Sequence, residues 1–236
     1  MTSVSTIFQR EINAYFLSPV AYVVIAVFMV FSGYFFSIML GITQETTLRY
    51  SLAYTQFILS ILTPVITMRL FAEENKTGTI EPLMTAPVTD FEVVFGKFLA
   101  AWALYSVMVV PTAFYIIFLA WTGNPDYGAI VASYIGLILM GGLFVSIGLL
   151  VSAVTKNQIV AGVIGIVALL ILLVIGLASS GGEGWFYNGL RYIGTYDHWD
   201  TFTKGIVDTR DVVYYVSFTA LLIFVVVRIV ESRRWR

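Results

Sequence analysis

The chain of 236 residues has no cysteine, a single histidine, His198, and charged side chains at only 11% of its positions. Without cysteine there are no disulfides and no thiolate metal sites, and one imidazole leaves no histidine cluster for zinc or haem. No metal site and no bound cofactor is therefore expected. Soluble domains carry roughly 25% charged residues, so no large one fits here. The net charge is -1 and no basic patch suggests nucleic-acid binding. Also missing is any charged residue at the middle of a long apolar run. A carrier that draws on an ion gradient normally keeps an ionisable side chain at that depth.

What the chain does have is apolar length. It is 59% hydrophobic with a mean hydropathy of +0.90, and between Pro19 and Val230 it divides into six stretches long enough to cross a bilayer. A span takes about 20 residues, so six with short connections consume nearly everything. The expected fold class is all-α: a single transmembrane domain over residues 1-236.

Val4, Ile7, Phe8, Ile12, Tyr15 and Phe16 recur at helical spacing opposite Gln9, Arg10 and Asn13, which predicts an interfacial helix over 3-17. No Lys/Arg-led region with a short apolar core opens the chain, so the first span is not read as a removable signal. The spans are expected at Val20 to Leu40, Tyr50 to Leu70, Phe95 to Trp121, Tyr127 to Ala153, Ile159 to Ala178 and Val212 to Val230. Pro64 and Pro111 should kink the second and third, because a proline leaves a helical carbonyl unpaired. Thr89 and Glu92 have the spacing of a capping box at the start of the third. In the fourth, the pairs Gly142/Ser146 and Gly148/Ser152 allow close helix approach. Gly123 to Asp126 and Thr155 to Gln158 read as turns.

Nine Lys and Arg residues fall on the side of the termini and four on the other. The positive-inside rule then places both termini in the cytoplasm. The polar stretch 72-89 becomes a cytoplasmic loop, and 179-211 faces outside. Tyr22, Tyr50, Trp121, Tyr127, Tyr214 and Trp235 sit where aromatic anchors belong.

The cytoplasmic loop sets Glu73 and Glu74 just after a span, a Gly78-Thr79 break, an apolar patch of Ile80, Leu83 and Met84, and Pro87 before a capped helix. Such an apolar knob, pinned between two spans, suits a transmitter to a cytoplasmic partner. It also reads as a solvated loop. Here the sequence resembles the membrane subunits of type-2 ABC exporters, through Glu74, Gly78, Thr79, Glu81, Leu83, Pro87 and Val88. Residues 15 to 22, 68 to 74, 155 to 158 and 208 to 215 bring it nearest to the permeases of gliding-motility systems and of nitrous oxide reductase maturation.

The resemblance implies a six-span half-transporter in a bacterial inner (cytoplasmic) membrane. It would pair with a second permease copy or a homologous permease, and sit on two copies of a separate ATPase that holds the ATP and Mg. An extracytoplasmic accessory protein and membrane lipids are further implied contacts. Glu73, Glu74, Gly78, Thr79, Glu81, Pro82, Leu83, Met84 and Pro87 would form the ATPase-coupling segment. Pro82 departs from the family pattern and fits the first turn of a helix beginning near Glu81.

The chain itself has no nucleotide motif: Gly96-Lys97 lacks the earlier glycine and the following Ser/Thr of a P-loop. An intramembrane protease is excluded because His198 is the only imidazole base and lies in the outer segment. An ion-coupled carrier or channel is the remaining alternative, weakened by the lack of buried Asp, Glu, Lys or Arg among the spans. The outer segment offers two apolar pieces too short to span, Trp185 to Ile193 and Trp199 to Val207, expected as re-entrant half-helices. Trp185, Asp197, His198 and Asp200 are its candidate gate residues, although one His with two Asp on a polar loop equally describes a helix cap and a surface turn. A pathway between two copies would be lined by Tyr22, Phe28, Phe57, Thr63 and the run Ile164 to Ile175, which favours a lipidic or amphipathic cargo, or force transmission with none.

Overall fold

The computed structural model describes residues 3-43, 47-78, 88-179 and 184-233, and all regular structure among them is helical. The helices are α1 (Ser3–Leu17), α2 (Pro19–Thr43), α3 (Arg49–Thr67), α4 (Arg69–Thr77), α5 (Asp90–Val109), α6 (Phe114–Thr122), α7 (Tyr127–Val154), α8 (Gln158–Ser179), α9 (Trp185–Ile193), α10 (Tyr196–Thr203) and α11 (Thr209–Arg233). Six units are long and apolar enough to cross a membrane: α2, α3 with α4, α5 through α6, α7, α8 and α11. The chain is thus an all-helical, multi-pass membrane protein. An even number of spans puts α1 and the end of α11 at one end of the bundle, the terminal end, and α9 and α10 at the distal end.

The third span begins as expected. The Thr89 hydroxyl accepts from the Glu92 amide at 3.3 Å, and the Glu92 carboxylate accepts from the Thr89 amide at 2.9 Å. Pro111, which has no N–H to donate, sits in a 3-10 turn over Val110–Ala113. There the Thr112 hydroxyl donates to the Val109 carbonyl at 2.7 Å and shares a hydrogen bond with the Tyr134 hydroxyl at 2.8 Å.

The second span differs from its expected outline in two ways. It breaks at Met68, one turn beyond Pro64, and it continues as helix to Thr77. Residues 72-77 are therefore not loop. Ser152 of α7 stitches the break, accepting from the Phe71 and Ala72 amides at 3.0 and 3.1 Å while donating to the Met68 carbonyl at 2.9 Å. A buried amide without an acceptor is costly, and this one hydroxyl satisfies two. Gly78, with φ of 73°, then ends α4 in the left-handed region that glycine adopts without strain.

α7 is the axis of the bundle, in contact with α3, α4, α5, α8, α10 and α11. Small residues make this possible. A Cβ at Gly148 would run into the Thr67 side chain, whereas one at Gly142 would meet Thr219 only at an ordinary 3.5 Å. Of the two expected small-residue pairs, Gly148/Ser152 therefore makes the close approach.

Two of the expected pathway residues point elsewhere. Phe28 and Thr63 are fully buried in the chain's own core, because the inward faces of α2 and α3 pack on each other. Tyr22, Phe57 and a stripe of α8 (Ile164, Val167, Ile171, Val174) are exposed.

Gly148→Ala should destabilise the protein by about 1–3 kcal/mol through overpacking against Thr67, while Gly142→Ala should be neutral or slightly stabilising. Thermal unfolding of the two variants in detergent separates these outcomes.

Candidate functional site at the two ends of the bundle

Lys97 lies two turns into α5 among Phe95, Phe98 and Leu99, with 1% of its surface exposed. A buried ammonium has three N–H groups to satisfy. Its Nζ donates to Glu74 Oε1 at 2.8 Å, to Glu11 Oε1 at 3.1 Å and to the Leu70 carbonyl at 2.8 Å. Arg10 closes the network, 2.7 Å from Glu11 and 3.3 Å from Glu74. The three helices α1, α4 and α5 are thus joined by two cations and two carboxylates. The expectation that no ionisable side chain is buried among the spans is overturned here: the group sits at the terminal end, where partner carboxylates from neighbouring helices can reach it.

Glu11 shows the balance of forces. Burial pushes its pKa up, but the Lys97 and Arg10 charges and hydrogen bonds outweigh this and hold it below the ordinary carboxylate value. α1 is anchored further on both sides of the Met68 break. The Tyr15 hydroxyl donates to the Ile66 carbonyl at 2.8 Å, and Arg69 donates to the Ala14 carbonyl at 3.1 Å while lying over the Tyr15 ring.

Of the expected coupling residues, Glu73, Glu74 and Gly78 are described, and the first two lie on α4 rather than in a loop. Thr79, Glu81, Pro82, Leu83, Met84 and Pro87 lie outside the described residues. α4 leads directly to them and is fixed laterally by Asn75, whose side-chain amide donates to the Thr155 carbonyl at 3.0 Å. Glu11, Lys97, Asn75 and Ser152 were not among the expected site residues. The available signal was a lysine flanked by aromatic and aliphatic residues, which requires a partner.

At the distal end, Asp197, His198 and Asp200 lie on α10, not on a polar loop, and His198 is buried. Its Nδ1 is 2.6 Å from Asp211 of α11 and its Nε2 is 3.1 Å from the Tyr192 carbonyl. The Tyr214 ring stacks on the imidazole at 3.9 Å, and its hydroxyl donates to the Ile193 carbonyl at 2.6 Å. His198 and Tyr214 thus cap the last carbonyls of α9. A carbonyl only accepts, so Nε2 carries a proton. The short contact at Nδ1 then requires a further proton, either on the ring or on Asp211.

Asp200 is held by Arg49 of α3 at 2.9 Å and by Lys204. Burial pushes its pKa up, but these two cations outweigh that and lower it. Asp197 pairs with Arg191 at 3.1 Å, whereas Trp185 is 87% exposed and stands apart. The candidate gate residues are therefore not one cluster. Among the described residues no group of three or more His, Asp or Glu could hold a metal ion.

Six spans, with an ionic joint at one end and a helical cap at the other, define a polytopic membrane protein. The family model for ABC-2 family transporter proteins matches residues 26–230, and the chain belongs to that family. It is accordingly a membrane component of an ABC transporter, and the family implies an ABC ATPase as partner. Comparison with curated proteins gives no match.

Because the folded-state pKa of Glu11 is lowered, its contribution to stability is fully present above the ordinary value of 4.5 and is lost as pH falls below it through the folded value. The stability difference between wild type and Glu11→Gln should accordingly shrink as the pH of a detergent unfolding series is lowered past about 4.5. At the other end, Asp211→Asn can still donate to Nδ1 and should leave the cap closed, whereas Asp211→Ala should cost about 1–3 kcal/mol and raise protease accessibility of α9 and α10.

Proposed function

We propose that the chain is the permease subunit of an ABC exporter, coupling ATP hydrolysis on two copies of a separate ATPase to movement of a lipidic or amphipathic cargo, or to force transmission across the membrane. Two permeases, identical or homologous, form the unit, in an inner membrane with both termini cytoplasmic. Its resemblance to the gliding-motility and nitrous-oxide-reductase-maturation permeases supports this reading. ATP and Mg stay on the ATPase, and this chain does no catalysis.

The observation that carries this reading is the Lys97 joint. α4 precedes residues 79-87, whose sequence includes the apolar Leu83 and Met84, and α4 is tied to Lys97 of α5 through Glu74 and to Ser152 of α7 through the Phe71 amide. On this reading, a push that reaches α4 is passed to α1, α5 and α7 together. The open apolar faces of α2 and α8 support a second permease and an apolar route beside it. An ion-coupled carrier is disfavoured, since Lys97 lies at a bundle end with three acceptors already in place.

Leu83→Asp should abolish co-purification of the ATPase, at a cost of a few kcal/mol as for an interface anchor, while leaving the permease folded. Undiminished association would remove the coupling assignment.

A further inference from the structure

The third span is two helices joined by a short turn. α5 ends at Val109, α6 begins at Phe114, and the 3-10 turn Val110–Ala113 lies between them. Pro111 has no N–H to give to the preceding turn, so the bonding that would make α5 and α6 one rod is interrupted here. The turn itself is fixed. Thr112 is buried and donates its hydroxyl proton to the Val109 carbonyl at 2.7 Å, so the 2.8 Å bond to Tyr134 of α7 runs from the tyrosine hydroxyl to the threonine oxygen. The turn is thereby pinned to the axis of the bundle. α5 is tied to the same axis, since Trp102 and Tyr105 donate to the Ile138 and Leu137 carbonyls of α7 at 2.9 and 3.1 Å.

Beyond the turn, α6 is held differently. Phe114, Ile117, Phe118 and Trp121 are exposed, whereas Tyr115 lies against α2. Its ring stacks on Phe36, with centroids 4.5 Å apart, and its hydroxyl is 2.9 Å from the Ser32 hydroxyl. Ser32 is buried and directs its own proton to the Met29 carbonyl at 3.4 Å, which makes Tyr115 the donor. Among the described residues this is the one side-chain hydrogen bond between α6 and another helix. The two kinds of hold differ in cost. Within hydrocarbon, an apolar face loses little by exchanging a neighbouring helix for lipid tails, whereas a hydroxyl that leaves its acceptor finds no other in lipid. The Tyr115–Ser32 bond therefore sets how firmly α6 stays on α2.

We infer that α6 is a movable leaf of the third span, hinged on the Val110–Ala113 turn and caught on α2 by the Tyr115–Ser32 hydrogen bond, and that its release opens a slit between the first and third spans in the distal half of the bundle. Ser32 and Phe36, which Tyr115 now covers, would face that slit. The claim concerns this chain alone and goes beyond the exporter reading, to which it adds a sideways opening.

The chain has no cysteine, so paired spin labels can be introduced without removing any native thiol. Trp121→Cys with Val131→Cys, both at exposed positions, measures α6 against α7. Val107→Cys, also exposed, measures α5 against the same reference. Distances are taken by pulsed EPR on the full-length permease in lipid nanodiscs. Without further change, the first pair should give one dominant distance and a minor second one. Tyr115→Phe keeps the ring and removes the catch. It should raise the population of the second distance about five- to tenfold, the loss of one hydrogen bond, while the Val107 pair stays as it was. Ser32→Ala should do the same by a smaller side chain on the other helix, and the double variant should do no more than either, because both remove one bond.

An unchanged Trp121–Val131 distribution in both single variants would overturn the inference. So would equal displacement of the two label pairs, which would mean that the span moves whole, or a double variant whose effect is the product of the single ones. Co-purification of the ATPase tests the exporter reading separately. Its loss with the α6 response intact removes only that reading, and its persistence with no α6 response removes only this inference.

Discussion

Removing a lysine ammonium from water is expensive unless acceptors meet every N–H, and in this protein no single helix can supply them. Lys97 obtains one carboxylate from α1, one from α4 and a carbonyl from Leu70. The arrangement of the terminal end follows from that requirement. α1 must lie across α5, where Ile7 packs against Gly96, and α4 must run back alongside them both. Arg10 then balances the second negative charge. Because breaking a buried pair leaves an uncompensated buried charge, the joint specifies geometry more strongly than it adds stability.

The interior obeys a different economy. Within hydrocarbon there is no hydrophobic gain in bringing helices together, so association depends on close fit and on hydrogen bonds between helices. α7 provides both, through Gly148 against Thr67 and Ser152 across the Met68 break. The outward faces of α2, α8 and α11 remain apolar, as surfaces that meet lipid or another permease should. Polar specificity is concentrated at the two ends, where Lys97, His198 and Asp200 each hold at least two helices in register.

Hydropathy alone marked all six spans, five of them to within five residues at either end, because membrane helices must be both long and apolar; the second runs on seven residues beyond its expected end. The Thr89–Glu92 cap was equally legible, since its partners are three residues apart. The ionic joint was not. Glu11 and Glu74 are 86 and 23 residues from Lys97, and no local periodicity reports such pairs. His198 was misplaced for a related reason: mixed aromatic and charged composition reads as a loop, while its burial comes from Asp211 and Tyr214 on the next span. The break at Met68 was not legible either: the Met68 amide still donates to the Pro64 carbonyl at 2.8 Å, and the interruption is held by Ser152, 84 residues along the chain. Part of the coupling segment, 79-87, lies outside the described residues, so its apolar knob is known from sequence only.

The stitch at Ser152 has a mechanical implication. Where a helix is interrupted and a side chain of another helix takes over its missing backbone bonds, the pivot belongs to the second helix. Rotation of α4 would therefore turn about a fulcrum on α7 rather than travel up the axis of α3. Under the proposed coupling, a displacement of α4 would reach the opposite face through the fourth span, whose far end abuts α10, rather than through α3.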